Sequence, residues 1–203
     1  MSQIKLVHSG GNGVIISAPS SNPAANRTLT LPGDADGEIL TSNSSVGKIL
    51  QVKQTVKTDT ASYTSTSFTK VTGFSSTITT TGSNKVLVRV MLHFGTEGGS
   101  AGQFRLARTT SGSSENDELI IGDASSNRTR ASMGGLMTAH NWMGVSESIE
   151  FLDSPGAGTH EYYLKAKVYD SSLPVYINRN YRFNDASYAS VLASVITTME
   201  VAG

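Results

Sequence analysis

Between residues 85 and 94 the chain reads Lys-Val-Leu-Val-Arg-Val-Met-Leu-His-Phe, with Val86, Val88, Val90, Leu92 and Phe94 on one side of a period-two pattern. Such alternation marks a β-strand facing a core, and the apolar Leu87 and Met91 on the opposite side predict a strand covered on both faces. Similar runs predict strands at 49–56, 67–71, 76–81, 103–108, 118–121, 129–142, 146–152, 160–169, 175–177 and 190–201. Gly, Asn, Asp, Pro and Ser gather between them, at 72–73, 82–84, 95–102, 111–116, 123–127, 153–158 and 170–174, as turns require. About ten strands with short connections and no helical interlude predict an all-β fold, a two-sheet β-sandwich with a jelly roll as the leading case.

Composition supports the absence of helix: Ser and Thr number 51 and Gly 20. Thr favours strands, whereas Ser and Gly weaken helix interiors. Residues 58–83 hold 16 Ser or Thr. Tyr63, Phe68, Val71, Phe74 and Ile78 recur among them, which predicts polar edge strands rather than a disordered tether. Sixteen basic and sixteen acidic residues give zero net charge, so no net field draws the chain to nucleic acid or to an anionic membrane. With no cysteine, disulfides, thiolate catalysis and Cys-based metal sites are excluded. No signal pattern opens the sequence and no run reaches the ~18 apolar residues of a membrane span, so the chain is expected to be soluble and made where it is assembled.

The first 47 residues carry only short β fragments, Val14-Ile15-Ile16 and Thr28-Leu29-Thr30-Leu31, between turns at Gly10-Gly11-Asn12-Gly13, Pro32-Gly33 and Asp36-Gly37. This predicts an extended N-terminal β arm over 1–47 whose packing other chains complete, followed by a sandwich domain over 48–203. The run from Asn26 to Thr41, with its Thr/Leu strand, Leu31-Pro32, Gly33-Asp34 turn and Ile39-Leu40-Thr41, resembles a cassette of bacteriophage fibre and other virion proteins that leads into the next domain. It departs from that cassette after Thr41, where no closing aromatic residue is found. The strand order of the body resembles the trimeric jelly rolls of the tumour-necrosis-factor and C1q type, which also form knobs on phage fibres. The segment 189–199 is similar to their apolar terminal strand near the threefold axis. That resemblance implies a homotrimer whose axis is lined by Val191, Val195 and Met199, or by the alternate set Leu192, Ile196 and Val201.

Candidate chemistry is sparse. Gly98-Gly99-Ser100-Ala101-Gly102 fits the Gly-x-Ser-x-Gly formula of a nucleophile elbow, but the next residues, 103–108, alternate like a strand, whereas the elbow needs a helix there; a hairpin loop is expected. Asp34-Ala35-Asp36-Gly37-Glu38 lacks the Glu that would close a calcium loop, Ser45 standing in its place, so a solvated turn is expected. His8, His93, His140 and His160 are scattered; His93 is expected as a packed polar residue on a strand. No catalytic residue, metal site or cofactor is therefore expected.

The richest loop is 178–188, where Tyr181, Phe183 and Tyr188 lie among Asn180, Arg182 and Asp185. Flat rings and planar hydrogen-bonding groups are what sugar recognition uses, so Asn180, Tyr181, Arg182, Phe183 and Asp185 are candidate contacts to a host surface glycan. The alternative is that the same rings anchor the loop on the domain or at a subunit contact. Trp142, the single tryptophan, is expected in the core or between subunits.

The expected function is a non-enzymatic virion structural protein: a short trimeric phage tail fibre or knob, bound to other virion proteins through its arm and contacting the host surface. A capsid decoration protein and a carbohydrate-binding module are the alternatives.

Overall fold

The computed structural model describes residues 3–17, 20, 21, 23, 49–98, 100–136, 138, 140–187 and 189–202. The chain divides into two units, Met1–Ser44 and Ser45–Gly203. In the first, β1 (Gln3–Val7) and β2 (Gly13–Ser17) form an antiparallel hairpin. Its turn is closed by His8 N–H donating to Asn12 O at 2.7 Å. Ile4, Leu6, Val7, Val14, Ile15 and Ile16 are all at least 49% exposed, so both faces of the hairpin are apolar and open. The expected strand at Thr28–Leu31 and the cassette from Asn26 to Thr41 lie outside the described residues.

The second unit contains β3 (Ile49–Lys57), β4 (Ala61–Tyr63), β5 (Thr69–Thr80), β6 (Lys85–Thr96), β7 (Gly102–Thr110), β8 (Glu115–Asn116), β9 (Met133–Leu136), β10 (Val145–Asp153), β11 (Gly158–Val168), β12 (Val175–Ile177) and β13 (Ser194–Val201). Pairing is nested: β3 with β13, β5 with β11, β6 with β10 and β7 with β9, all antiparallel. A long hairpin rolled on itself has this order. Rolling places β3-β13-β6-β10 in one sheet and β5-β11-β7-β9 in the other, the two Greek keys of a jelly roll. The fold is an all-β sandwich, as the alternation predicts.

One face of each sheet builds the core. Val86, Val88, Val90, Leu92 and Phe94 of β6, with Ile149, Val175, Ile177 and Ile196, meet Val71, Phe74, Ile78, Phe104, Leu106, Tyr162, Leu164, Ala166 and Val168 from the other sheet. At roughly 1.5–3 kcal/mol per buried large apolar side chain this cluster is the main favourable contribution to folding. Polar ties cross the sandwich at its margins. Asp153 at the end of β10 takes a hydrogen bond from the Tyr162 hydroxyl at 2.8 Å and pairs with Arg108, and the hydroxyls of Ser76 and Thr198 meet at 2.8 Å.

Four expected strands are corrected. The runs at 67–71 and 76–81 belong to one strand, β5, because Gly73 adopts φ 70° and absorbs the bulge where the β11 register jumps, so the 72–73 "turn" is a kink inside a strand. The strand expected at 118–121 is absent, and that expected at 129–142 shrinks to β9. Residues 117–132 are instead tied by side chains and single backbone bonds: Arg105 Nε donates to Arg130 O at 2.9 Å, and Ser132 N–H to Phe104 O at 2.9 Å. The Ser/Thr-rich stretch does supply edge strands, β4 and β5, with Val71, Phe74 and Ile78 in the core.

Candidate functional site

The outward face of β3-β13-β6-β10 is set by register. Val56 pairs with Val195, which pairs with Met91, which faces Ser148; two residues along, Gln54, Thr197, Arg89 and Glu150 align; two further, Val52, Met199, Leu87 and Leu152. Two apolar rows thus flank one polar row. The polar row is internally satisfied, since Arg89 Nε lies 2.8 Å from Glu150 Oε2 and Gln54 Nε2 donates to Thr197 Oγ1 at 2.9 Å. Val52, Val56, Met91 and Leu152 are 44–53% exposed. A shallow groove of about 620 Å³ runs over the middle of this face.

This register separates the two sets expected at a threefold axis. Val195 and Met199 point outward on this face. Ile196 of the alternate set is fully buried in its own core, so it cannot meet another chain. Val201 has the outward parity of Val195 and Met199, opposite to Ile196. Val191 and Leu192 precede β13 and sit in the loop, Val191 60% exposed and Leu192 half-buried. Alternation along the chain singles out only the last strand; Val52, Val56, Met91 and Leu152 complete the face and escape sequence reasoning, because only pairing register puts them beside Val195 and Met199.

At one end of the sandwich lies the segment 178–188, the candidate either for sugar contact or for an anchor or subunit contact. Its first residue is structural. β12 and β13 occupy the same edge of β6 end to end, and Asn178, with φ 61°, fills the gap between them. Its N–H donates to His93 O and its carbonyl accepts from Leu192 N, both at 2.9 Å. Its side chain donates to Lys57 O at 2.8 Å and Asp59 O at 2.9 Å, and Ser194 Oγ donates to its Oδ1 at 2.6 Å. Gly95 lets the chain leave the sheet there: a Cβ on it would lie 2.6 Å from Arg179 O.

Beyond this anchor the rings fold onto the protein. The Arg179 guanidinium stacks 3.9 Å from the Tyr176 ring centre and 5.1 Å from that of Phe183, and Tyr176 packs on Tyr181 with centroids 5.8 Å apart. The Glu97 carboxylate, hydrogen-bonded to the Tyr181 phenol, pushes that phenol up from its ordinary value. Arg182 lies over the Trp142 ring at 5.6 Å. Asn180 is 5% exposed; its Nδ2 donates to Trp142 O at 3.0 Å, and its Oδ1 has no partner among the described residues. With Trp142, Gly144, Ser190 and Leu192 it lines a cavity of about 150 Å³.

Of the candidate glycan contacts, Arg182, Phe183 and Asp185 are exposed or partly exposed, Tyr181 is half-buried and Asn180 is interior; Tyr188 lies outside the described residues. Trp142 is 44% exposed, which takes it out of the core of its own chain and leaves it open to a subunit contact, the other place expected of it; it lies in the loop before β10, beside residues 179–183, rather than in a strand. Ser100 of the Gly-x-Ser-x-Gly run is fully buried, donates to Leu173 O at 2.8 Å and leads into strand β7. His93 sits on β6 with Nδ1 2.6 Å from Ser146 Oγ.

Comparison with protein-family models and with curated proteins finds no match. Among solved structures, the chain is similar to one in the structure of infectious bursal disease virus Gt strain, at 13% identity and a TM-score of 0.39, over 95% of this chain and 48% of that one. It thus spans about half the length of that chain.

Proposed function

We propose that this protein is a non-enzymatic virion structural component, a short homotrimeric fibre or knob held on the particle by residues 1–47, with its jelly roll turned to the host surface. The observation that carries this reading is the outward face of β3-β13-β6-β10. Apolar rows on both sides of a satisfied Arg89–Glu150 pair form a patch that water penalises and that a second copy can cover without stranding a charge. The resemblance of residues 26–41 to virion cassettes, and of the strand order to trimeric knobs, supports three copies and a particle-bound arm. The open apolar hairpin of β1 and β2 suits attachment to other virion proteins, since its exposed Ile and Val side chains find no cover in their own hairpin.

Light scattering on the full chain tests the association: the expected mass is three times the 21.4 kDa chain, and Met91→Glu should yield folded monomer. A wild-type chain that stays monomeric at micromolar concentration overturns the trimer. Imaging of particles carrying labelled protein tests the location, and label on the capsid shell rather than the tail would favour decoration over a fibre.

A further inference from the structure

The opposite sheet presents a different surface. Outward from β11 and β7, and beneath residues 66–68 and 126–130, lies a groove of about 630 Å³ whose lining includes Arg105, Arg128, Arg130, Lys165 and Lys167 against a single carboxylate, Asp117. In a chain of zero net charge this is a local excess. Some of it is neutralised: Lys165 contacts Glu115 and lies 3.0 Å from Asp117, Arg105 is 3.2 Å from Asp117, and Arg130 is 3.7 Å from Glu118. Arg128 and Lys167 have no carboxylate partner among the described residues. Arg128 Nη1 donates to Ser125 Oγ at 2.9 Å, and Lys167 Nζ to Thr129 Oγ1 at 3.2 Å, which brings the ammonium next to the residue after Arg128.

The remaining walls are hydroxyl and amide groups, Thr66, Ser67, Ser126, Asn127 and Thr129, around the Phe68 ring. The Arg105 guanidinium caps that ring at 4.4 Å, and Lys167 approaches it at 5.7 Å. An anion entering here meets two cations whose charge no acid cancels; the groove is open and Arg128 is exposed, so solvent screens both and each attraction is modest. The neutral donors and acceptors beside them match ring hydroxyls. A nucleic acid would need a basic track continuing past the groove, and the carboxylates of Glu115, Asp117 and Glu118, paired with its cations, interrupt one.

We propose that this groove binds an anionic saccharide, with its sulfate, phosphate or carboxylate group between Arg128 and Lys167 and its hydroxyls on the Ser, Thr and Asn side chains of the rim. The assignment is independent of the oligomeric state and of the place of the protein on a particle.

Isothermal titration of the full chain with a sulfated disaccharide, a phosphorylated monosaccharide, a sialylated trisaccharide and the neutral parent of each distinguishes the possible anionic groups. At least one charged probe should bind while its parent does not, with affinity falling as salt rises. The double variant Arg128→Ala/Lys167→Ala should weaken that probe on the order of 100-fold, the loss of two charge-assisted hydrogen bonds. Arg128→Glu alone should abolish binding, and unchanged circular dichroism would establish that both variants fold. The pair Lys53→Ala/Lys85→Ala, which removes the same charge from the other sheet, should leave affinity unchanged. The proposal is overturned if no charged probe binds, if the Lys53/Lys85 pair weakens binding as much as the groove pair, or if only vesicles containing anionic lipid or a DNA oligonucleotide bind.

Discussion

Replacing Asn178 by Ala tests the account of how the loop at the end of the sandwich is held. The side chain makes three hydrogen bonds, to Lys57 O, Asp59 O and Ser194 Oγ, in a residue with no exposed surface. Orphaning buried polar partners costs about 1–3 kcal/mol each; Asp59 is exposed, so its carbonyl can regain water and lies at the low end. A φ of 61° adds about 1 kcal/mol for a residue bearing a Cβ but no local polar group. The total is about 4–8 kcal/mol, a large share of the roughly 5–15 kcal/mol that stabilises a domain. Asn178→Gly loses the same bonds without the φ cost and should be about 1 kcal/mol less destabilised than Asn178→Ala. Asn178→Asp keeps an acceptor for Ser194 but turns a carboxylate toward two carbonyls, and should be no better than Ala at neutral pH. Urea midpoints at constant slope measure all three. A loss below about 1 kcal/mol for Asn178→Ala, or equal losses for Ala and Gly, would refute the anchoring role and its backbone argument respectively.

Burial opposes ionisation of Glu115 and of Asp117, yet Lys165 with Tyr163 on the first, and Lys165 with Arg105 on the second, outweigh it and hold both carboxyls below their ordinary range. Folded values below the unfolded ones of about 4 mean that this stabilisation is complete above those unfolded values and is lost as pH falls through the folded ones. Urea midpoints should therefore drop as pH falls below the unfolded values of about 4, and Lys165→Met should flatten the drop; an equally steep fall in the variant would count against the cluster. Tyr162→Phe removes one hydrogen bond to a carboxylate that keeps Arg108 and the Ser154 N–H at 2.8 Å, and should cost about 1.5–3 kcal/mol. Asp153→Ala strands both Arg108 and Tyr162 and should cost about 3–5 kcal/mol, so thermal denaturation that ranked the two variants in the reverse order would contradict the clamp.

The fold was readable because its strands alternate. Lys85–Thr96 carries five apolar residues at every second position, all buried, and no competing helical period exists there. The terminal strand was readable as a strand but not as to its faces: Val195, Ile196 and Met199 are all apolar, and only pairing of Val195 with Met91 and of Ile196 with Val90 decides which way each points. The stretch 117–132 misled because alternation carries no information about a segment held by Arg105 and Ser132 rather than by a ladder. The loop 178–188 was legible as exceptional in composition. Its division into an anchor at Asn178, an interior Asn180 and an exposed rim at Arg182, Phe183 and Asp185 depends on contacts with residues 57–59, 97 and 142. The cationic groove was hidden by a zero net charge, although Lys165 and Lys167, two apart on one strand, already place two cations on one face.

The two outward faces make opposite demands, and a sandwich meets both because its sheets present them in opposite directions. Covering β3-β13-β6-β10 removes apolar rows from water and hides only the Arg89–Glu150 pair. Covering β5-β11-β7 would instead desolvate the Lys70–Glu161 pair at 2.7 Å and the whole Lys165 cluster, for which burial gives little or no return. Association through the first face therefore leaves the second in solvent, and a trimer so formed carries three grooves pointing away from its axis. Each groove, with two uncancelled cations, has the means for modest affinity only. If the trimer and the groove are as proposed, a surface bearing many anionic sugars would engage several grooves at once, and the effective concentration of the second and third contacts would multiply the first by about 10²–10⁴. For a soluble saccharide, substitutions at Met91 and at Arg128 should then act independently; for a coated surface they should not, because monomerisation removes the multiplication on which a weakened groove depends.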